Sequence, residues 1–119
     1  MKAAHLRRGE QVESAALAYL QSNGLTFVEK NYRAMYGEID LIMMDQHDLV
    51  FVEVRYRKNE VFGGATQSVD ANKQQKLRRT AETFLQKNHS IEFDGCRFDV
   101  VAVSGQSANY KIQWIRDAF

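Results

Sequence analysis

Proline is missing from the 119 residues, cysteine occurs once, and the longest apolar run is the short stretch 15–20. Each scarcity excludes something. Without proline, turns fall to glycine and small polar residues. A lone Cys96 rules out a disulfide framework and a cysteine-based zinc site. The apolar run is far short of the roughly 20 residues a membrane-spanning helix requires. No charge of one sign dominates either: 16 Lys and Arg against 15 Asp and Glu leave +1, which excludes a basic coat over the whole surface but not a local basic patch. His5, His47 and His89 are scattered without metal-ligand spacing. Residues 1–8 are basic but lack an apolar core, so they do not read as a secretory signal. These absences predict a cytoplasmic protein with no membrane association. What is present is globular: 45% apolar and 26% charged residues, enough for one core in one domain over 1–119.

Val12, Ala16, Tyr19 and Leu20 recur at helical spacing across 6–23, and Gly24 follows where a helix C-terminus favours glycine. Residues 25–36 read as extended. After Gly37, 38–45 and 49–58 read as strands flanking Gln46-His47. A loop is expected over 59–67, around Gly63-Gly64. Ser68 is the expected N-cap of a helix running to Asn88, with Asp70 in its first turn and a stripe of Leu77, Ala81, Phe84 and Leu85. Strands over 97–104 and 110–115 complete the order α-β-β-β-α-β-β. The second helix is long enough to cross between parallel neighbours. Val50, Val52 and Val54 alternate with Phe51, so that strand is covered on both faces. The expectation is an α/β fold: a three-layer α/β/α sandwich around a mixed sheet.

The chemistry concentrates in Gly37-Glu38-Ile39-Asp40-Leu41-Ile42 and Phe51-Val52-Glu53-Val54-Arg55. A two-residue turn at Gln46-His47 sets Asp45 opposite Asp48 and predicts Ile42 opposite Phe51, Asp40 opposite Glu53, and Glu38 opposite Arg55. Opposed residues share a face, so one face is apolar near the turn and charged at the far end. Opposed carboxylates would stand about 4.5–5.5 Å apart and repel. They call for a cation. That is either a divalent metal with oxygen ligands or Arg55 on the same face, with Glu38–Arg55 as an ordinary cross-strand pair. Glu13 lies at the edge of the first helix's apolar stripe, either completing the site or pairing with a basic residue; Glu10 is one turn earlier and further off the stripe. Lys73 extends the second helix's stripe and either overhangs the same cleft or snorkels. Arg55, Arg57 and Lys58, then Lys73, Lys76, Arg78 and Arg79, with Arg7 and Arg8, are solvated faces or contacts for a phosphate backbone. Tyr36 and Tyr56 either flank such a groove or pack. No P-loop, dinucleotide fingerprint, nucleophile elbow or His-based triad is present.

These residues resemble the PD-(D/E)xK nuclease pattern: Asp40 at a strand end, Glu53-Val54-Arg55 on the adjoining strand, and Glu13 on the preceding helix. Within that superfamily the chain most resembles the small bacterial YraN family, itself similar to archaeal-type Holliday junction resolvases. The likeness spans nearly the whole chain. It rests on Glu13-x-x-Ala16-x-x-Tyr19-Leu20, Asn31-x-Arg33, the two strand segments above with Arg57, Lys73, Arg97-Phe98-Asp99-Val100-Val101, and Trp114-Ile115-x-Asp117-Ala118-Phe119. It implies a restriction-endonuclease-like fold. It also implies an Mg²⁺- or Mn²⁺-dependent endonuclease acting on DNA, branched or damaged DNA among the candidates. In that reading Asp40, Glu53 and the Val54 carbonyl hold the metal, and Glu13 binds it through water or accepts a second ion. Arg55 stabilises developing charge, while Arg33, Arg57 and Lys73 engage the backbone. The resolvase likeness also implies a homodimer. One position departs from the pattern: Arg55 stands where the superfamily has lysine, and a guanidinium does not act as a general base. Two alternatives follow. One is a catalytically inactive nucleic-acid-binding module that retains the nuclease fold. The other is an adaptor docking a partner through residues 114–119.

Overall fold

The computed structural model describes residues 4–58 and 69–119, with the side chains of residues 4–8 and 107 left aside. The expected loop over 59–67, the expected cap at Ser68 and the side chains of Arg7 and Arg8 therefore lie outside the described residues. The elements are α1 (Ala4–Ser22), β1 (Thr26–Ala34), β2 (Gly37–Asp45), β3 (Asp48–Arg57), α2 (Ala71–Lys87), β4 (Gly95–Ser104), a 3-10 turn (Ser107–Asn109) and β5 (Lys111–Ile115). The strands form one five-stranded sheet in the order β1-β2-β3-β4-β5. Only β3 and β4 run parallel, and α2 makes the crossover between them. The other neighbouring pairs are antiparallel. This is the expected mixed-sheet sandwich, consistent with a restriction-endonuclease-like α/β arrangement.

Each face of the sheet has its own helix and its own core. On one side Val12, Ala16 and Leu20 of α1 pack on Leu41, Met43, Val50, Val52, Val101 and Val103. On the other, Leu77, Ala81 and Phe84 of α2 pack on Ile39, Ile42, Leu49, Phe51 and Val100. Thr80, fully buried among them, satisfies its hydroxyl by donating to the Lys76 carbonyl at 2.8 Å. No helix among the described residues is long and apolar enough to cross a membrane.

The helix ends follow local chemistry. At the C-terminus of α1, Leu25 N donates to Leu20 O at 3.1 Å and Gly24 N to Gln21 O at 3.0 Å. Gly24 adopts φ +95°. This is a Schellman motif, sealed by burial of both Leu20 and Leu25. The described N-cap of α2 is Asp70, not a residue of its first turn: its carboxylate accepts from Lys73 N at 2.9 Å. Its charge also suits the positive end of the helix dipole.

Candidate functional site

The β2–β3 ladder follows the predicted register from Asp45↔Asp48 to Leu41↔Val52 and then stops. The predicted Asp40–Glu53 and Glu38–Arg55 rungs are not made. Strict alternation from Ile42 would turn Ile39 toward α1, yet Ile39 lies in the α2 core while Leu41 lies in the α1 core. The pleat therefore breaks at Asp40. Its carboxylate fills the missing rung: Oδ2 accepts from Val54 N at 2.8 Å. In neighbouring β1, Asn31 sits at the break with φ +54°, a left-handed conformation that asparagine tolerates better than most residues.

Asp40 and Glu53 nevertheless converge. Burial, then the adjacent Glu53 carboxylate, push the Asp40 carboxyl up to about 8, and the two side chains share a hydrogen bond. Like charges this close cannot both ionise cheaply, so the pair retains a proton in the usual carboxylate range. Glu53 is itself buried. Its cation is Lys73, whose Nζ stands 3.3 Å from Oε2 and remains about half exposed. Lys73 thus does overhang the acids.

Arg55 does not neutralise the pair. Val54 and Tyr56 face α1, which places Glu53 and Arg55 on the α2 side. Arg55 is half-buried and makes no ion pair among the described residues. Glu38 pairs instead with Arg33, at 3.4 Å.

Glu13 stands apart from this pair, on the α1 side. Its near partner is Asn31: with the side-chain amide turned so that its nitrogen faces the acids, it donates to Glu13 Oε1 at 3.1 Å and to Glu38 Oε1 at 3.3 Å. Burial raises the Glu13 pKa, opposed by the Asn31 hydrogen bond. Glu13 reaches Asp40 only as a neighbouring charge. A cavity of about 270 Å³ opens beside it, lined also by Glu10, Ser14 and Lys30. Among the described residues no three His, Cys, Asp or Glu side chains come together as a metal cage. The oxygen donors at hand are two carboxylates with the Val54 backbone between them. Two carboxylates completed by water and phosphate oxygens form a set that Mg²⁺ accepts, so the residues fit such an ion in donor type. The remaining predicted contacts are spread out. Arg33 is strongly exposed beside Glu38, and Arg57 is exposed at the end of β3.

Other residues prove to be framework. The Tyr56 hydroxyl donates to Gly105 O at 2.7 Å, and its ring meets Tyr110 edge-on. Arg78 lies over the rings of Phe98 and Phe119. A second acid cluster, at the turn end of the hairpin, is not visible as a unit in the sequence. Arg97 donates to Asp99 Oδ1 at 3.0 Å and to Asp45 Oδ2 at 2.8 Å, with Asp48 at 3.8 Å. Fully buried Asp99 also accepts from Trp114 Nε1 and Asp117 N, both at 2.9 Å.

The model of the uncharacterised protein family UPF0102 matches residues 12–103. The chain belongs to that family. UPF0102 proteins of Nitrosococcus oceani and Shewanella loihica are 44% and 47% identical to it, each over 98% of this chain and over 94% and 97% of their own lengths. A UPF0102 protein of Nitrosomonas europaea is 50% identical over 94% of this chain and 92% of its own. This is the YraN family that the sequence motifs resemble. The matched span of this UPF0102 chain contains Glu13, Asn31, Asp40, Glu53, Lys73, Arg97 and Asp99. It leaves Trp114 outside.

Proposed function

We propose that this protein is a metal-dependent phosphodiesterase acting on DNA, with its centre at Asp40 and Glu53. The carrying observation is that convergence: a buried carboxylate, Glu53, and a partly buried one, Asp40, share one end of a broken ladder, and their only cation among the described residues is a half-exposed lysine. Asp40 is oriented by the Val54 N–H, and Glu53 is held by the sheet on one side and Lys73 on the other. These two carboxylates would hold a divalent ion, which when bound would supply Lewis-acid polarisation of a phosphoryl oxygen and a more acidic water. Arg55, two residues beyond Glu53 on the same side, would bind a phosphate oxygen as charge develops. Lys73 would exchange its contact with Glu53 for a phosphate. Glu13, on the α1 side, stands apart from the pair and bears on it as a neighbouring negative charge that favours a bound cation.

Incubation with junction, flap and duplex DNA in Mg²⁺ or Mn²⁺ tests this reading. Cleavage by the wild type is expected, with loss of about 10²-fold or more in Asp40→Ala. Cleavage that survives unchanged in that variant places the chemistry elsewhere.

One observation favours a second reading, a binding module without turnover: Arg55 replaces the lysine of the nuclease pattern, and arginine keeps its proton. That reading expects salt-sensitive DNA binding with no cutting, and a gain of cutting in Arg55→Lys. The adaptor reading has less support. Trp114 is bonded to buried Asp99, and Phe119 stacks on Phe98 at 5.1 Å, so residues 114–119 are committed to the fold.

A further inference from the structure

The tip of the β1–β2 hairpin carries an apolar side chain with nothing over it. Met35 is 88% exposed and the neighbouring Tyr36 46%. Gly37 seats this tip on α2: a Cβ there would touch Thr80 Oγ1 at 3.5 Å and Lys76 Cβ at 3.9 Å. The Tyr36 ring lies against the Arg79 guanidinium, 5.0 Å from its centroid. Between tip and helix runs an open groove of about 370 Å³, lined by Met35, Tyr36, Asn72, Gln75, Lys76 and Arg79. Both charged lining residues are basic, and Lys76 pairs with no acid among the described residues. Lys73, the residue that reaches Glu53, lies on the same helix but on its sheet-facing stripe, around the helix from the groove residues.

An aromatic set against the Arg79 guanidinium, a projecting methionine and two neighbouring cations suit one kind of occupant. Single-stranded nucleic acid offers stackable base faces and a phosphate backbone together. A paired duplex hides those faces, and apolar side chains enter it only by unstacking a step. We infer that this groove seats unpaired nucleotides, with a base against Tyr36 and Met35 and phosphates against Lys76 and Arg79. The inference rests on the reading of Asp40 and Glu53 as a phosphodiester site, and it names the substrate class. At 1.5 Å rise per residue, Lys73 and Arg79 are separated by about 9 Å along α2. The two side chains also point about 120° apart around the helix, so at least three phosphate steps of a stacked strand separate them. The unpaired stretch therefore lies a few nucleotides from the bond to be cut. A strand–duplex boundary satisfies this, and a continuous duplex does not.

The test is binding without cleavage. Fluorescence anisotropy in EDTA measures a labelled oligo-dT of about 12 nucleotides, a length within the usual span of single-strand sites, and a blunt duplex of equal length. Tyr36→Ala and Met35→Ser are each expected to weaken oligo-dT binding about tenfold and duplex binding less than twofold, while Tyr36→Trp retains it. Lys76→Ala should weaken both and flatten their salt dependence. Met35 is too exposed for its replacement to unfold the chain, so it keeps the test valid should Tyr36→Ala prove unstable. The inference is overturned if the wild type fails to hold oligo-dT, as a groove built for a protein partner would. It is equally overturned if the Met35 and Tyr36 variants bind like wild type, or lose strand and duplex equally. The two readings fail separately. Tyr36-dependent oligo-dT binding in a protein that cuts nothing removes hydrolysis and leaves the groove. Asp40-dependent cutting with oligo-dT binding indifferent to Tyr36 removes the groove and leaves hydrolysis.

Discussion

The β2–β3 hairpin carries acids at both ends, and the two ends treat them differently. At the turn, Asp45, Asp48 and buried Asp99 surround the Arg97 guanidinium, and Trp114 and a backbone amide satisfy the remaining Asp99 oxygens. At the open end, Asp40 and Glu53 face each other with Lys73 at the rim. Five residues of strand separate Asp40 from Asp45, about 17 Å. That exceeds the roughly 8–10 Å over which charge is felt in physiological salt, so Arg97 does little for the open end. A planar fork filled with carboxylates is a clasp: it joins β2, β3 and β4, and Asp99 ties in the segment after β5. A carboxylate pair short of positive charge contributes strain rather than stability. Its persistence makes sense if a cation completes it in use.

The largest effect should come from breaking the satisfied end. Arg97→Met leaves Asp99 buried and without its ion partner, which is expected to cost about 3–5 kcal/mol. Urea denaturation reads this as a lower midpoint, and an unchanged midpoint would mean that the clasp is ornamental. Next, the open end should respond to metal where the clasped end does not. Saturating Mg²⁺ or Mn²⁺ is expected to stabilise the wild type by about 2–3 kcal/mol at one hundred times the dissociation constant. Protons compete with metal for Asp40, so the stabilisation should grow as pH rises toward 8 and vanish in Asp40→Asn. Metal stabilisation that is indifferent to Asp40 would remove the pair as the binding site.

The sequence reveals this contrast unevenly. The two-residue turn at Gln46-His47 fixes the register from Asp45↔Asp48 to Leu41↔Val52, because hairpin pairing counts outward from its loop. The count fails at Asp40 because it assumes an unbroken pleat. In the structure β1 carries an irregularity between Phe27 and Glu29 and the left-handed Asn31, and Ile39 turns to the α2 side. The convergence of Asp40 with Glu53 survives by another route, through a side chain that takes the place of a backbone acceptor. Helical periodicity puts Glu13 at the boundary of α1, but no local rule names Asn31 as its partner. An isolated Asn before a strand's second half is the only available hint. The Arg97 clasp draws side chains from β2, β3 and β4, so nothing in any one segment announces it. Ser68 and Asp70 are both competent caps two residues apart, and periodicity alone does not choose between them.

A smaller effect tests the strain directly. Asp40 binds its proton more tightly folded than unfolded, so the folded protein loses stability as pH climbs from about 4, the ordinary carboxylate value, to about 8. Asn at this position can still accept from Val54 N and donate to Glu53. Without metal, Asp40→Asn should therefore be more stable than wild type at pH 8.5 by at least the ~1.4 kcal/mol of one pKa unit, and its pH slope over that range should flatten. Thermal melts at pH 6 and 8.5 measure both, and a destabilised variant with the wild-type slope would mean that the acids are not in conflict.

The smallest effect belongs to Lys73. Its contact with Glu53 is half in solvent, and such ion pairs are worth about 0.2–1 kcal/mol, so Lys73→Gln should move the denaturation midpoint little. The informative quantity is its salt dependence. If Lys73 is only a rim charge, high salt in metal-free buffer should erase the small difference between variant and wild type. A difference that persists at high salt would mean that the lysine is more deeply engaged with the acids than its exposure suggests. The open end would then resemble the clasped end, with a resident cation of its own and less need for a metal.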